Sequence, residues 1–134
     1  MHSLYFDGAS RSNPGPSSYG GVIYDENNIE VGTYYDYIGK ATNNVAEYLA
    51  LFAGLKACKD NNIKKLKVYG DSKLVIEQVK GNWNVKSENL KPIYNEIKEL
   101  LNNYKFEYIE FNHILRRYNK RADELANLAF GDTI

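Results

Sequence analysis

The sequence has 134 residues, of which 43% are hydrophobic, 25% charged and 13% aromatic. These values are typical of one globular domain and exclude a disordered chain or a coiled coil. The sequence has no apolar run of about 18 residues, and its first residues lack the pattern of a signal peptide. We therefore expect a soluble, cytoplasmic protein that does not enter a membrane.

The charges balance, with 17 basic and 17 acidic residues, so the total predicts no indiscriminate electrostatic binding of nucleic acid. Their distribution is uneven: residues 1–40 carry two cations and five anions, whereas residues 41–80 carry seven cations and four anions. One face can therefore still attract a polyanion. The single cysteine, Cys58, accompanies only two histidines, which favours a small core residue over a disulfide or a zinc site.

The first forty residues have the pattern of an antiparallel meander. Residues 4–6 are a short apolar run that stops at Asp7, and residues 12–18 are rich in turn formers. Residues 20–24 and 29–38 are dominated by β-branched and aromatic residues, with a polar turn between them. We expect three strands here.

Helices and strands alternate in the remainder. Thr42 can cap a helix that runs to Asp60, and residues 66–69 predict a strand, followed by a short helix that ends at Gly81. A third helix tolerates Pro92 in its first turn, residues 106–112 alternate like a strand, and Asn119 can cap a last helix. The order β-β-β-α-β-α-α-β-α predicts one α/β domain over residues 1–134, with parallel strands after the meander.

Four acidic residues lie at the predicted starts of helices or ends of strands. Asp7 and Asp71 each follow a strand, and ligands usually bind at that edge of an open α/β sheet. Glu47 is one turn into the first long helix, and Asp123 is in the first turn of the last. Converging carboxylates repel one another unless cations neutralise them, and hard oxygen ligands suit Mg²⁺ or Mn²⁺. Taken singly, each acid is also explained by turn and helix-dipole preferences.

Four motifs together resemble the type 1 ribonuclease H family. They are Asp7-Gly8-Ala9-Ser10 with Asn13-Pro14-Gly15-Pro16, Thr42-Asn43-Asn44-Val45-Ala46-Glu47, Gly70-Asp71-Ser72, and Asn119-Lys120-Arg121-Ala122-Asp123-Glu124-Leu125-Ala126. Their order and spacing match over nearly the whole chain. The resemblance implies a ribonuclease H-like fold, a mixed five-stranded sheet flanked by helices, whose first three strands are antiparallel and the others parallel.

The resemblance also implies hydrolysis of the RNA strand of RNA–DNA hybrids, leaving a 3′-hydroxyl and a 5′-phosphate. The catalytic residues and metal ligands would be Asp7, Glu47, Asp71 and Asp123, holding two Mg²⁺ ions for which Mn²⁺ can substitute. Two metals can activate water on one side of the phosphate and stabilise the leaving oxygen on the other. We expect a monomer whose partner is the hybrid, with no obligate protein partner.

Several polar side chains are candidates for substrate binding. Short amides suit the 2′-hydroxyls of the minor groove, a role that the resemblance implies for Asn13, Asn43 and Asn44. It also implies that Thr42 helps to hold a DNA-strand phosphate and that Lys73 contacts the substrate. The alternative interpretation is turn and cap chemistry for the first four and an unspecialised surface cation for Lys73.

The sequence departs from longer family members in two places. Residues 80–88 are too short for the basic handle of those members, which indicates the compact, archaeal-like branch and weaker, salt-sensitive binding of the hybrid. The loop before the last helix has Arg116 and Arg117 in place of a histidine, and either arginine can meet a phosphate or stay solvated. His113 at the predicted strand end favours a structural role at the core edge.

Three other functions share parts of this pattern. One is a hybrid-binding module without catalysis, against which the four intact acids argue. Another is a junction resolvase or transposase core, which the Asn-Pro-Gly-Pro and Thr-Asn-Asn motifs disfavour. The third is the ribonuclease H domain of a reverse transcriptase, against which a Met1 just before the first strand favours a free-standing enzyme.

Overall fold

The computed structural model describes residues 1–131, which form the strands and helices of an α/β fold. Its strands are β1 (His2–Ser10), β2 (Gly15–Tyr24), β3 (Glu30–Ala41), β4 (Lys65–Gly70) and β5 (Tyr108–His113). Its α-helices are α1 (Asn43–Asp60), α2 (Lys73–Lys80), α3 (Lys91–Tyr104) and α4 (Lys120–Leu128), and a 3₁₀ turn (Arg116–Tyr118) precedes α4. The order of strands and α-helices is the predicted one.

The five strands form one mixed sheet in the order β3-β2-β1-β4-β5. The pairs β1–β2 and β2–β3 are antiparallel, whereas β1–β4 and β4–β5 are parallel, which confirms the expected fold class. Asp25 closes the turn between β2 and β3, because its Oδ1 accepts hydrogen bonds from the backbone N–H groups of Asn27 (2.8 Å) and Ile29 (3.0 Å). This meander places β1 in the centre of the sheet.

Strands β1 and β2 extend further into the predicted loop between them than the sequence indicated. The chain after Phe6 stays in β1 because it continues to pair with β2 as far as Ser10 opposite Ser17. The predicted turn over residues 12–18 is therefore shorter, with β2 beginning at Gly15. Asp7 lies inside β1, and the prediction that the strand ends before it was wrong. Turn-forming residues in this segment are held extended by strand pairing, which local composition does not report.

The hydrophobic core lies between the sheet and α1, α2 and α3. Cys58 is fully buried in it, as expected. Helix α4 packs against the other side of the sheet, where its backbone passes so close to Gly20 that a Cβ atom there would lie 2.5 Å from Ala126 N. The largest fully buried apolar side chains are those of Leu4, Phe6, Tyr48, Leu51, Leu55, Leu66, Ile76 and Ile97.

The ends of the first two helices follow the predicted signals. Thr42 caps α1, since its Oγ1 accepts a hydrogen bond from Val45 N at 3.2 Å. Gly81 ends α2 with a left-handed φ of 88°. Residues 81–90, between α2 and α3, contain no further helix, in agreement with the short segment read from the sequence. None of the helices in residues 1–131 is both long and apolar enough to span a membrane.

Candidate active site

Two aspartates lie side by side at the carboxyl edge of the parallel strands. The pairing of β1 with β4 ends at Phe6 opposite Gly70, so Asp7 and Asp71 are the next residues along the two neighbouring segments. Asp7 is 4% exposed, because β1 is the central strand and continues past it. The predicted juxtaposition of the two carboxylates is confirmed, although Asp7 reaches it from within a strand.

Glu47 joins the pair from the first turns of α1. The backbone N–H of Gly8 donates a hydrogen bond to Glu47 Oε1 at 2.5 Å, and only 3% of Glu47 is exposed. This contact requires α1 and β1 to approach very closely, because a Cβ atom at Gly8 would lie 2.3 Å from Glu47 N. Gly8 thus positions Glu47. The sequence analysis did not predict this role, although Gly8 directly follows Asp7 in the motif.

The acidic cluster consists of Asp7, Glu47 and Asp71, each of which offers an oxygen within 4.8 Å of the others. Asp123, in the first turn of α4, adds a fourth carboxyl group, since it lines the same depression as the other three and raises the pKa of Asp7. Arg116 of the 3₁₀ turn brings a cation, with Nη2 3.8 Å from Asp123 Oδ1. The four acids singled out from the sequence therefore converge.

Burial and mutual repulsion disfavour the charged forms of these acids. The pKa of Asp7 rises to about 10, chiefly through burial and then through Glu47, Asp71 and Asp123. Burial and Asp71 raise the pKa of Glu47 to about 8, although the hydrogen bond from Gly8 partly opposes this. Burial also raises the pKa of Asp71. Such a crowded set of hard oxygen donors fits divalent cations, which would relieve the repulsion.

Asn119 occupies the N-cap position of α4 but does not cap the helix as predicted. Its Nδ2 instead donates a hydrogen bond of 2.8 Å to the carbonyl oxygen of Phe6, the residue before Asp7. The backbone carbonyl oxygen of Asn119 accepts a hydrogen bond from Asp123 N at 3.1 Å. Asn119 therefore joins the start of α4 to the strand that carries Asp7. Burial of the side chain between the two elements decides this, and sequence pattern does not reveal it.

Of the candidate substrate residues in the first half of the chain, Asn43 lies beside the acidic cluster. The cluster opens into a depression of about 360 Å³ that Asn43, Ser10, Ser72 and Arg116 also line. The backbone N–H of Asn43 donates to Asn13 Oδ1 at 3.1 Å, which joins the loop before β2 to the start of α1. Asn44 is exposed in the first turn of α1, and Thr42 caps that helix.

The remaining candidates lie in different places. Lys73 is exposed at the start of α2, with Nζ 6.0 Å from the ring centroid of Trp83. Arg117 lies over the ring of Tyr118, at 5.0 Å, and does not line the depression, which separates it from Arg116. His113 ends β5 and is exposed, so the expectation that register ties it to the core edge was wrong.

The sheet and the acidic cluster together define the class of the protein. A central antiparallel-then-parallel sheet with carboxylates at its switch point is the arrangement expected of the ribonuclease H-like fold. The sequence model of the "Reverse transcriptase-like" family matches residues 5–129. A ribonuclease HI of Halobacterium salinarum is 42% identical over 96% of this chain, and the chain spans 63% of that relative's length.

Solved structures agree with this classification. The crystal structure of the ribonuclease H1 from Halobacterium salinarum has a TM-score of 0.91 and 41% identity, with 98% of both chains covered. LC11 ribonuclease H1, solved in complex with an RNA/DNA hybrid, has a TM-score of 0.92 and 36% identity, with 98% of this chain and 97% of that chain covered. The chain belongs to the type 1 ribonuclease H family.

Proposed function

We propose that the protein is a ribonuclease H that hydrolyses the RNA strand of RNA–DNA hybrids and leaves 3′-hydroxyl and 5′-phosphate ends. The observation that carries the proposal is the acidic cluster of Asp7, Glu47 and Asp71, whose oxygens lie within 4.8 Å of one another. The similarity to a ribonuclease H1 that was solved with such a hybrid supports the choice of substrate. The cytoplasmic location and monomeric state expected from the sequence belong to the same proposal.

Asp7, Glu47, Asp71 and Asp123 would hold two Mg²⁺ ions, for which Mn²⁺ can substitute. Bound ions of this kind supply charge neutralisation, activation of the attacking water and stabilisation of the leaving oxygen. The chain itself contributes orientation: Gly8 fixes Glu47, and Asn119 fixes the start of α4 relative to β1. No side chain needs to form a covalent intermediate.

The depression beside the cluster offers groups for the two strands of the hybrid. Arg116 is 82% exposed at its side chain and lies at the cluster, so its guanidinium can meet the phosphate next to the scissile bond. Asn13, Asn43 and Asn44 can read 2′-hydroxyls, and Thr42 keeps its hydroxyl hydrogen free to donate to a phosphate while it caps α1. Lys73 and Arg117 lie further out and would add electrostatic attraction.

The test is cleavage of an end-labelled RNA–DNA hybrid with Mg²⁺, Mn²⁺ or EDTA. Asp71→Asn removes one charge of the cluster at constant shape, and we expect at least about a 100-fold loss of rate. Asp60→Asn is the matched control, because Asp60 is an exposed acid at the end of α1 that pairs with Lys56. Products that a ligase joins without prior phosphorylation would confirm 5′-phosphate ends. Binding of the hybrid without cleavage in either metal would contradict the proposal.

A further inference from the structure

Arg116 is the cation among the described residues that line the acidic depression. Its guanidinium Nη2 lies 3.8 Å from Asp123 Oδ1. Its charge also reaches two other acids: burial raises the pKa of Glu47 and Asp71, and Arg116 partly opposes that rise in both. Arg116 therefore supplies positive charge to the same carboxyl groups that are proposed to hold metal ions.

The two neighbouring arginines before α4 have different surroundings. Arg117 lies over the ring of Tyr118, with its guanidinium carbon 5.0 Å from the ring centroid, and does not line the depression. Arg116 pairs with Asp123 instead. The structure thus separates two residues that the sequence alone did not distinguish.

The backbone of Arg116 is anchored, whereas its side chain is exposed. Asn119 N donates a hydrogen bond to the carbonyl oxygen of Arg116 at 2.9 Å, and Asn119 Nδ2 donates to the carbonyl oxygen of Phe6, so the 3₁₀ turn is joined to β1. The side chain of Arg116 is 82% exposed, and its ion pair with Asp123 is long. An exposed pair of this kind adds little stability, so a stronger competitor for either partner can break it.

Both members of the pair have a stronger competitor in the proposed reaction. A divalent ion carries twice the charge of a guanidinium and contacts a carboxylate oxygen directly, so it attracts Asp123 more strongly than Arg116 does. A phosphate offers Arg116 a bidentate, charge-assisted contact. The ion pair and a metal ion therefore compete for the same carboxylate.

We propose that Arg116 exchanges partners: it pairs with Asp123 while the acidic cluster lacks a metal ion, and a divalent ion on the cluster displaces it and frees its guanidinium for a phosphate of the hybrid. The pair with Asp123 thus lowers the affinity of the cluster for divalent ions. Because linkage is reciprocal, removal of the Arg116 charge raises that affinity. The exchange rests on the proposed function for its metal site and its phosphate, but it can be measured without cleavage.

Titration with Mn²⁺, followed by the EPR signal of the free ion, tests the effect on metal affinity. In about 0.15 M salt at about pH 8, Arg116→Gln should bind Mn²⁺ at least about threefold more tightly than wild type, because a repelling charge is removed. Arg116→Lys keeps the charge and should bind less tightly than Arg116→Gln.

Arg117→Gln is the matched control for metal affinity, because it removes the same charge one residue away. Its affinity for Mn²⁺ should change by less than about 1.5-fold, since Arg117 does not line the depression and salt screens exposed charges. Equal affinities of wild type and Arg116→Gln would overturn the proposal. An equal gain in Arg117→Gln would also overturn it, because the gain would then reflect net charge alone.

The side chain of Arg116 provides a second readout, which a purely structural role would not change. Titration of ¹³C,¹⁵N-labelled protein with Mg²⁺ should shift the Cδ–Hδ signal of Arg116 over the same concentration range as the Gly8 amide signal, whereas the Arg117 signal should stay in place. The two arginine signals are assigned by their absence in Arg116→Gln and Arg117→Gln. An Arg116 signal that stays in place while Gly8 responds would contradict the exchange.

Cleavage of the hybrid distinguishes a failure of this proposal from a failure of the proposed function. Metal-dependent cleavage by wild type, together with unchanged Mn²⁺ affinity in Arg116→Gln, would refute the partner exchange and leave the ribonuclease H proposal intact. If neither wild type nor any variant binds Mn²⁺, both proposals are wrong, because each requires a metal ion on the acidic cluster.

Discussion

Helix α1 carries two buried regions of opposite character within two turns. Leu51 is fully buried in the core under the sheet, and Glu47 is 3% exposed in the acidic cluster. Burial stabilises the first because apolar surface leaves water, and it raises the free energy of the second because a carboxylate loses its hydration. Equal burial thus has opposite effects on stability. The acidic cluster keeps carboxyl groups buried close together, which a hydrophobic core would exclude. Four substitutions test this comparison.

The largest expected effect is in the core. Leu51→Ala should lower the free energy of unfolding by about 2–5 kcal/mol, because it removes apolar contacts and leaves a cavity. Urea denaturation followed by circular dichroism measures this loss. Ile29→Ala is the control, since Ile29 is 59% exposed and should change stability by less than about 1 kcal/mol. Similar losses in both variants would mean that the core is not where stability resides.

Gly8→Ala should affect both the core and the acidic cluster, because Gly8 lies at the contact between β1 and α1. A Cβ atom there would lie 2.3 Å from Glu47 N, so α1 must shift. We expect a loss of about 1–3 kcal/mol in unfolding free energy and a large loss of hybrid cleavage as Glu47 moves. Gly32→Ala in β3 is the control, since its nearest contact would be 3.7 Å. Full activity in Gly8→Ala would refute the positioning role of Gly8.

Asp7→Asn should raise the free energy of unfolding, whereas Leu51→Ala and Gly8→Ala should lower it. In EDTA the substitution should stabilise the fold by roughly 0.5–2 kcal/mol, because it removes a buried repulsion. Metal-free wild type should also lose stability as pH rises, because folding raises the pKa of Asp7 from 3.8 to about 10. The stabilisation that comes from protonated Asp7 is complete below the pKa of the unfolded chain and is lost as the pH rises towards the pKa of the folded protein.

Thermal unfolding at several pH values between about 5 and 8 measures this slope, which should be shallower in Asp7→Asn. Added Mg²⁺ should stabilise wild type more than the variant, since a ligand that binds only the native state raises its stability. A destabilised Asp7→Asn in EDTA would show that the cluster contributes to the fold and is not held against repulsion.

The smallest expected effect concerns a hydrogen bond between sheet and helix. The hydroxyl of Tyr34 in β3 donates to the carbonyl of Ala50 in α1 at 2.6 Å. Tyr34→Phe should cost about 0.5–1.5 kcal/mol, because the ring stays and only the hydrogen bond is lost. Tyr35→Phe is its control, since Tyr35 is 52% exposed in the same strand. Equal unfolding midpoints for the two variants would argue against the contribution of this bond.

Local pattern was sufficient for the order of the elements and for several of their ends. Apolar periodicity predicted the helices, Thr42 and Gly81 marked helix ends, and Asp71 follows β4 as expected. These features depend on neighbours within a few residues, so the sequence contains them directly. The four acids were found from their places at element ends and from the family resemblance.

Tertiary structure decided the features that depend on contacts between distant segments. Pairing with β2 keeps Asp7 inside a strand, and burial against Phe6 turns Asn119 away from its expected cap. Exposure of His113 likewise follows from its place at the end of an edge strand. Composition and periodicity determined what each segment of this protein forms. The packing of segments far apart in the chain determined which carboxylates are buried, and hence how strongly their charges repel one another.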